Sequence, residues 1–355
     1  MGRAPAGCGG GIVTTLTFLR PERRTVLAVV LVAVATLAVS LVALCYGDGW
    51  ARPGAVVDGL RGEGPLAGRV LEWRMPRVTA AVVFGLALGL AGALFQNLTR
   101  NPLGAPDVIG LDQGAYTGVL LVLTVAGGAH FAAAADNGGG FALGLAGAAL
   151  AGGLLAAGIV ALLAMGSGYT GYRLIVIGIA VNAVLTAANS WLILRADLEV
   201  AMAAASWSAG NLNGTDWSDL VVPLAGLAAL AVAAGCLARP VQQLALGDDV
   251  AVTTGIRLGR LRLAIATVGV GCTAIVAATA GPIVFVALMA PQIGRRLAGT
   301  AGIALLPSAL TGALLLGTAD LLAQVVAPVQ LPVGVVTGAI GGVYLLWLLF
   351  KEVGR

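Results

Sequence analysis

Lysine is almost missing from this 355-residue chain, with Lys351 the only one. A phosphate-cradling P-loop closes its glycine turn with a lysine, so ATP hydrolysis by that route is excluded. Histidine is as scarce, and His130 stands alone. One imidazole, with no metal-ligand cluster and no nucleophile–base constellation, argues against a membrane-embedded enzyme and against a metal site. The four cysteines, Cys8, Cys45, Cys236 and Cys272, lie far apart and form no C-x-x-C. Neither a zinc site nor a disulfide framework is indicated. Charged residues make up only 10% of the chain, where a soluble domain carries roughly 25%. Such a chain cannot build an ordinary wetted surface. Ionisable groups inside the apolar runs are few: Asp320, with Asp107 and Asp112 beside a break. A proton- or sodium-driven carrier shows a relay of such groups, and one isolated carboxylate makes a poor relay.

What is present is apolar. Hydrophobic residues reach 59% and mean hydropathy +0.98. The 53 glycines follow no collagen period and sit within the apolar runs. Small residues let helix backbones approach in lipid, and Gly85 with Gly89, and Gly338 with Gly342, form small-xxx-small pairs. At about 20 residues per crossing the length allows roughly ten spans. The expected fold is therefore all-α and polytopic, with about ten transmembrane helices.

Residues 1–25 read as a cytoplasmic tail, followed by one transmembrane domain over 26–352. Arg20, Arg23 and Arg24 precede the apolar run Val26 to Cys45, which is too long for a cleaved signal and lacks an A-x-A site. Further spans are expected on either side of a break at 96–106, then at 143–165, 174–194 and 220–237. The run 263–288 is divided at Gly281-Pro282 into two, and 303–327 and 331–350 complete the set. Residues 195–220 read as a polar interruption.

The stretch from Arg74 to Ala115 organises the chain. It runs apolar from Val78 to Phe95, breaks at Gln96-Asn97 and Asn101-Pro102-Leu103-Gly104, and meets Pro106 before turning apolar again. Such a break is either irregular backbone at membrane depth, covered by protein or a water-filled cavity, or an ordinary cytosolic turn. Spacing leaves both open.

With both termini inside, 14 of the Lys and Arg residues fall on inner segments and 6 on outer ones, in keeping with the positive-inside tendency. Five of those six, Arg52, Arg61, Arg69, Arg74 and Arg77, crowd together before the second span. An outward basic cluster opposes the insertion bias. It is either balanced by Glu63 and Glu72 or offered to acidic groups of an external partner, which arginine forks bind well.

With no nucleotide loop and no ion relay, the energy for any transport must come from a cytoplasmic partner. The polar stretch of about 239–262 could receive it. Asp248 or Asp249 can cap a short helix, Ala251 keeps its surface close to a neighbour, and Gly255 ends it.

These residues resemble the FecCD-type permease subunits of bacterial ABC importers for ferric siderophores, haem and vitamin B12. The resemblance rests on Arg74-Met75-Pro76-Arg77, Gly92, Gln96, Asn101-Pro102-Leu103, Pro106, Gly110 and Gly114-Ala115. It continues through Leu246-Gly247-Asp248, Ala251 and Gly255, then Gly281-Pro282-Ile283-Val284-Phe285-Val286 and Ala290-Pro291-Gln292 with Arg295. It closes on Ala319-Asp320 and Leu331-Pro332-Val333-Gly334. In order, these cover roughly 26–352.

The resemblance implies a type II ABC importer permease in the cytoplasmic membrane. It implies two ABC ATPase subunits, a second permease subunit (a heterodimer favoured over a homodimer), and an extracytoplasmic binding lipoprotein that delivers the ferric siderophore. No cofactor would bind this chain directly, ATP and Mg being held by the ATPases. Arg74 and Arg77 would meet acidic residues of the binding protein. Asp248, Asp249, Ala251 and Gly255 would form the ATPase-coupling segment, and Thr170, Gly171 and Tyr172 a cytoplasmic gate. Departures are Gln324, where some relatives carry a third docking arginine, Thr254 for a leucine, Asp248 for a glutamate, and Ala290-Pro291-Gln292 for a Pro-His pair. The pattern is most like the ferric-enterobactin type. Siderophore, haem and cobalamin are not separated by these residues.

Overall fold

Long apolar runs in this chain become helices because only a helix satisfies every backbone N–H and C=O within one segment in lipid. The structure is a computed structural model that describes residues 21–47, 49–125, 140–165, 171–300, 302, 304–326 and 330–353. Among these residues the regular elements are all helical. They are α1 (Pro21–Cys45), α2 (Pro53–Leu60), α3 (Met75–Thr99), α4 (Leu111–Val125), α5 (Gly140–Met165), α6 (Gly171–Arg195) and α7 (Leu198–Ser208). There follow α8 (Trp217–Ala245), α9 (Asp248–Thr253), α10 (Leu258–Ala280), α11 (Val286–Ala298), α12 (Leu305–Val325) and α13 (Val333–Val353). A π-helical turn, Arg69–Arg74, runs directly into α3, and a 3-10 turn, Pro106–Ile109, leads into α4.

Eight of these helices are long and apolar enough to cross a membrane, and α4 is a shorter apolar helix. The tenth expected span is α11, whose 13 residues reach only about 20 Å, short of the ~30 Å hydrocarbon core. The irregular segment 281–285 supplies the remainder. It lies against protein, with Gly281 and Ile283 buried, the condition under which non-helical backbone is tolerated at depth.

The centre of the bundle is α3. Two thirds of its apolar window (67%) is buried, against 22% for α1 and 17% for α6 and α8. It packs on α1, α8, α10, α11 and α12. The α3–α12 seam is built from Gly85 and Gly89 lying backbone to backbone against Gly312 and Ser308. The second small-residue pair behaves differently: Gly342 meets nothing nearby, and Gly341 is the position that makes room, for the ring of Phe285. A second packing unit joins α4 to α5 through Gly114, Gly118 and Gly152, and α10 touches both units.

Several expected boundaries move. α3 continues through Gln96 and Asn97 to Thr99, so the break starts at Arg100; the Gln96 and Asn97 side chains bond to neighbouring helices and leave the helical ladder intact. Pro102 and Leu103 are exposed, as in a surface turn. The stretch 195–220 holds the 11-residue α7, packed on α4. α8 runs on through Arg239 and Pro240 to Ala245, and α10 begins at Leu258, so the linking segment is narrower than 239–262. α1 starts at Pro21, within the expected tail. Gly281-Pro282 does separate α10 from α11. Thr170 and His130 lie outside the described residues.

Candidate functional site

At the end of the bundle where α3 starts, the π-turn and the first turn of α3 hold Arg69, Arg74 and Arg77 of the basic cluster, while Arg52 and Arg61 flank α2. Pro76 lies where the π-turn passes into α3; it has no N–H to offer the Leu71 carbonyl, which accepts Trp217 Nε1–H at 2.8 Å instead. Arg74 Nη1 donates to the Leu44 carbonyl at the C-terminal end of α1, at 2.9 Å. Arg77 turns inward. Its Nε lies 3.1 Å from both Asp320 carboxylate oxygens and its Nη2 lies 2.8 Å from Oδ1. Its Nη1 donates to Gln330 at 3.3 Å. The Asp320 side chain is 1% exposed, and Gln324, one turn further along α12, donates to its Oδ2 at 2.8 Å. Asp320 is thus a buried, hydrogen-bonded carboxylate whose charge is matched by Arg77.

A cavity of about 490 Å³ opens beside these residues, lined by Arg69, Trp73, Arg74, Arg77, Tyr46 and Gln324 among others. Arg69 and Trp73 are exposed. Among the described residues neither Glu63 nor Glu72 forms an ion pair.

At the same end, Gly281 and Gly334 meet around Gly210. Gly334 N–H donates to the Gly210 carbonyl at 3.0 Å, and Asn211 N–H donates to the Ala280 carbonyl at 2.6 Å. A Cβ at Gly281 would collide with the Trp207 carbonyl, and one at Gly334 with the Ala209 carbonyl. Pro332 immediately precedes α13 and sets its start.

At the opposite end, Gln96 and Pro291 lock α3 to α11. Gln96 is buried; its Nε2 donates to the Leu288 carbonyl at 2.9 Å, and its Oε1 accepts from Arg295 Nη2 at 3.2 Å. Pro291 has no N–H to return to the Ala287 carbonyl, and that carbonyl rests against Gly92, where a side chain would not fit. Gln292, 4% exposed, donates from Nε2 to the Pro102 carbonyl at 2.8 Å and accepts the Tyr344 hydroxyl at 3.1 Å. The Asn101 side chain accepts Leu103 N–H at 2.9 Å, closing the turn, and Pro106 opens the 3-10 turn beyond it.

The six-residue α9 lies beside this turn. Neither Asp248 nor Asp249 caps it, because the N-cap position is Gly247 and no side-chain cap bond forms. Asp248 instead bridges Arg100 Nη2 at 2.7 Å and Arg262 Nη2 at 2.8 Å. Asp249 is exposed, Ala251 is fully buried, and Gly255 (φ 86) ends the helix. Its N–H reaches the Val252 carbonyl and Ile256 N–H reaches Ala251, the paired bonds of a glycine-closed helix end. Leu246, Val250 and Val252 are exposed at 72%, 40% and 55%, an apolar set on a short polar connection. Gly171 and Tyr172 open α6, and Thr170 is not among the described residues.

The model of the FecCD transport family matches residues 27–351. The chain belongs to that family. It is 46% identical over 284 residues to the ferric enterobactin transport system permease protein FepG of Escherichia coli (strain K12), a match covering 80% of this chain and 82% of FepG. It is 34% identical to the probable siderophore transport system permease protein YfhA of Bacillus subtilis (strain 168), over 79% of this chain and 81% of YfhA. To the vitamin B12 import system permease protein BtuC of Salmonella typhi it is 34% identical, over 95% and 99%. A solved structure described as an inward-facing metal-chelate type ABC transporter superposes with a TM-score of 0.77 at 21% identity, over 92% of this chain and 99% of that one. The fold is therefore that of a multi-pass permease.

Sequence reasoning missed three positions that the fold brings into these contacts. Arg100 gives no signal beyond its place before Asn101-Pro102, since its pairing with Asp248 spans 148 residues. Gly210 and Trp207 sit in a stretch read as polar loop, and only the folded chain sets them against Gly281.

Proposed function

We propose that this chain is the transmembrane permease subunit of an ATP-driven importer that carries a ferric siderophore across the cytoplasmic membrane. The observation that carries this is the 46% identity to a ferric enterobactin permease over four fifths of the chain, on a fold matched end to end by a metal-chelate transporter. In this reading the chelate arrives from an extracytoplasmic binding lipoprotein at the Arg74 end. Two separate ATPase subunits, holding ATP and Mg, act at the α9 end. A second permease, favoured as a different chain, completes the pathway, and both termini lie in the cytoplasm.

The geometry supports these assignments. Arg69, Arg74 and Arg77 border one open cavity, suited to a partner's carboxylates. Arg77 already serves Asp320, which leaves Arg74, with Arg69 beside it, the more available fork. The exposed Leu246, Val250 and Val252 around α9 form the kind of apolar patch that marks a protein contact. Thr170, Gly171 and Tyr172, the last two opening α6, would serve as the cytoplasmic gate.

A second reading, vitamin B12 import, draws on the 95% coverage by BtuC. The deciding experiment reconstitutes the chain with its partner permease, ATPases and binding protein in liposomes. Labelled ferric siderophores, haem and cobalamin are then offered in turn. ATP-dependent accumulation of a ferric siderophore alone supports the main reading. Accumulation of cobalamin alone replaces it with the second, and accumulation by the purified chain without nucleotide or partners overturns both.

A further inference from the structure

Arg100 and Phe285 are the non-glycine residues with a left-handed backbone among the described residues. At Arg100 (φ 51, ψ 32) the chain leaves α3 by the paired bonds that normally require glycine: Arg100 N–H to the Asn97 carbonyl at 3.3 Å and Asn101 N–H to the Gln96 carbonyl at 3.2 Å. A side chain there costs about 1–2 kcal/mol. What the arginine supplies in return is reach, because its guanidinium meets Asp248 on α9.

The same carboxylate holds Arg262 in the second turn of α10, so α9 is fastened to two transmembrane helices through one side chain. Two residues beyond Arg100, the Pro102 carbonyl is taken by Gln292 of α11, and the other end of that amide takes the hydroxyl of Tyr344 on α13. The turn between these grips has little slack. Asn101 closes it with its side chain and its carbonyl, the latter accepting Gly104 N–H at 3.0 Å, and Pro102 has a fixed φ. Both ends of a nearly buried amide are therefore committed, one to the turn that α9 holds and one to the last helix.

We propose that Gln292 is a positioning residue of the transport cycle, carrying displacement of α9, delivered through Arg100 and the Asn101-Pro102 turn, to α13 by way of Tyr344. The inference rests on α9 being the ATPase-coupling helix. Intermediate position between two sites does not by itself show coupling, so the test reads coupling directly.

In the complete complex in liposomes, ATP hydrolysis and chelate uptake are measured together. Gln292→Leu keeps the volume and deletes both hydrogen bonds. It should lower uptake per ATP hydrolysed by at least about fivefold, the lower range of an allosteric coupling, while the complex assembles and hydrolyses ATP as before. Gln292→His, with one ring nitrogen to donate and one to accept, should restore most of the ratio. Tyr344→Phe, losing a single hydroxyl, should fall between. An unchanged ratio in Gln292→Leu overturns the proposal, as does a uniform loss of assembly, hydrolysis and uptake that Gln292→His does not repair. Val252→Glu on the exposed side of α9 separates the two levels. Retained ATPase attachment in that variant overturns the coupling reading itself. Lost attachment, together with normal transport by Gln292→Leu, overturns only the role of Gln292.

Discussion

Arg77 and Asp320, 243 residues apart, form a two-pronged ion pair in which the carboxylate is 1% exposed and the guanidinium side chain 12%. The pair joins the first turn of α3 to the last turns of α12, and Gln324 fills a remaining acceptor position.

Removing one member of such a pair strands the other without compensation. Asp320→Asn and Arg77→Ala should each destabilise the subunit by about 3–5 kcal/mol, seen as a lower unfolding temperature in detergent. Replacing both by apolar residues, Arg77→Met with Asp320→Leu, should recover most of that loss. A double variant whose loss is the sum of the two single losses would show that Arg77 and Asp320 act independently and not as a pair.

Arg77 is for this reason a poor probe of docking, and Arg74 a clean one. Arg74→Glu gives up one bond to a helix-end carbonyl and leaves the Asp320 network untouched. It should weaken association of the binding protein by about 1–3 kcal/mol, the range for a charge-assisted contact, with normal insertion and thermal stability. Wild-type affinity should also fall as salt is raised, since exposed charges are screened beyond about 8–10 Å. Salt-independent binding with unchanged affinity in Arg74→Glu would place docking elsewhere.

A methyl group at Gly85 would lie 2.5 Å from the Gly312 carbonyl oxygen and 2.6 Å from the Ala313 Cα. Both are backbone atoms, which cannot swing aside. Gly85→Ala should cost about 1–3 kcal/mol through overpacking. Gly342→Ala, with nothing nearby, should be neutral. Thermal melts of the two variants side by side decide the point.

Arg100→Gly removes the left-handed penalty together with the bond to Asp248. Exposed ion pairs contribute about 0–1 kcal/mol, less than the backbone relief, so the isolated subunit should become slightly more stable. Uptake should nevertheless fall, because α9 loses one of its two fastenings. A less stable Arg100→Gly protein would show that the ion pair outweighs the strain.

Much of the architecture is legible because burial in lipid leaves a strong mark. Apolar runs mark eight of the ten spans by length alone, and Gly281-Pro282 marks the division of the long run between α10 and α11. The misreadings share a cause. Gln96 and Asn97 read as a break because polar residues after an apolar run resemble a helix end, yet their amides bond to α11 and α8 in the interior. α7 is hidden because an 11-residue helix carries too little periodic signal beside tryptophans and a charged flank. The basic cluster before α3 is visible as a charge anomaly, but the commitment of Arg77 to Asp320 is not. No local pattern reports a partner 243 residues away. Asp248 does belong to a short connecting helix, but it ties helices together instead of capping one, and the cap position falls to Gly247.

Where Gly210, Gly281 and Gly334 meet, main chain lies on main chain with no side chain between. Rotamer changes give a protein interior its small adjustments, and this corner has none to offer. The ends of α10 and α13 that share it must travel together, as a hinge pin does with its plate, and any widening between them has to occur toward the far ends of those helices. Paired spin labels beside Asn211 and Val335 should accordingly keep one distance through the nucleotide cycle, while labels beside Arg262 and Trp347 should not.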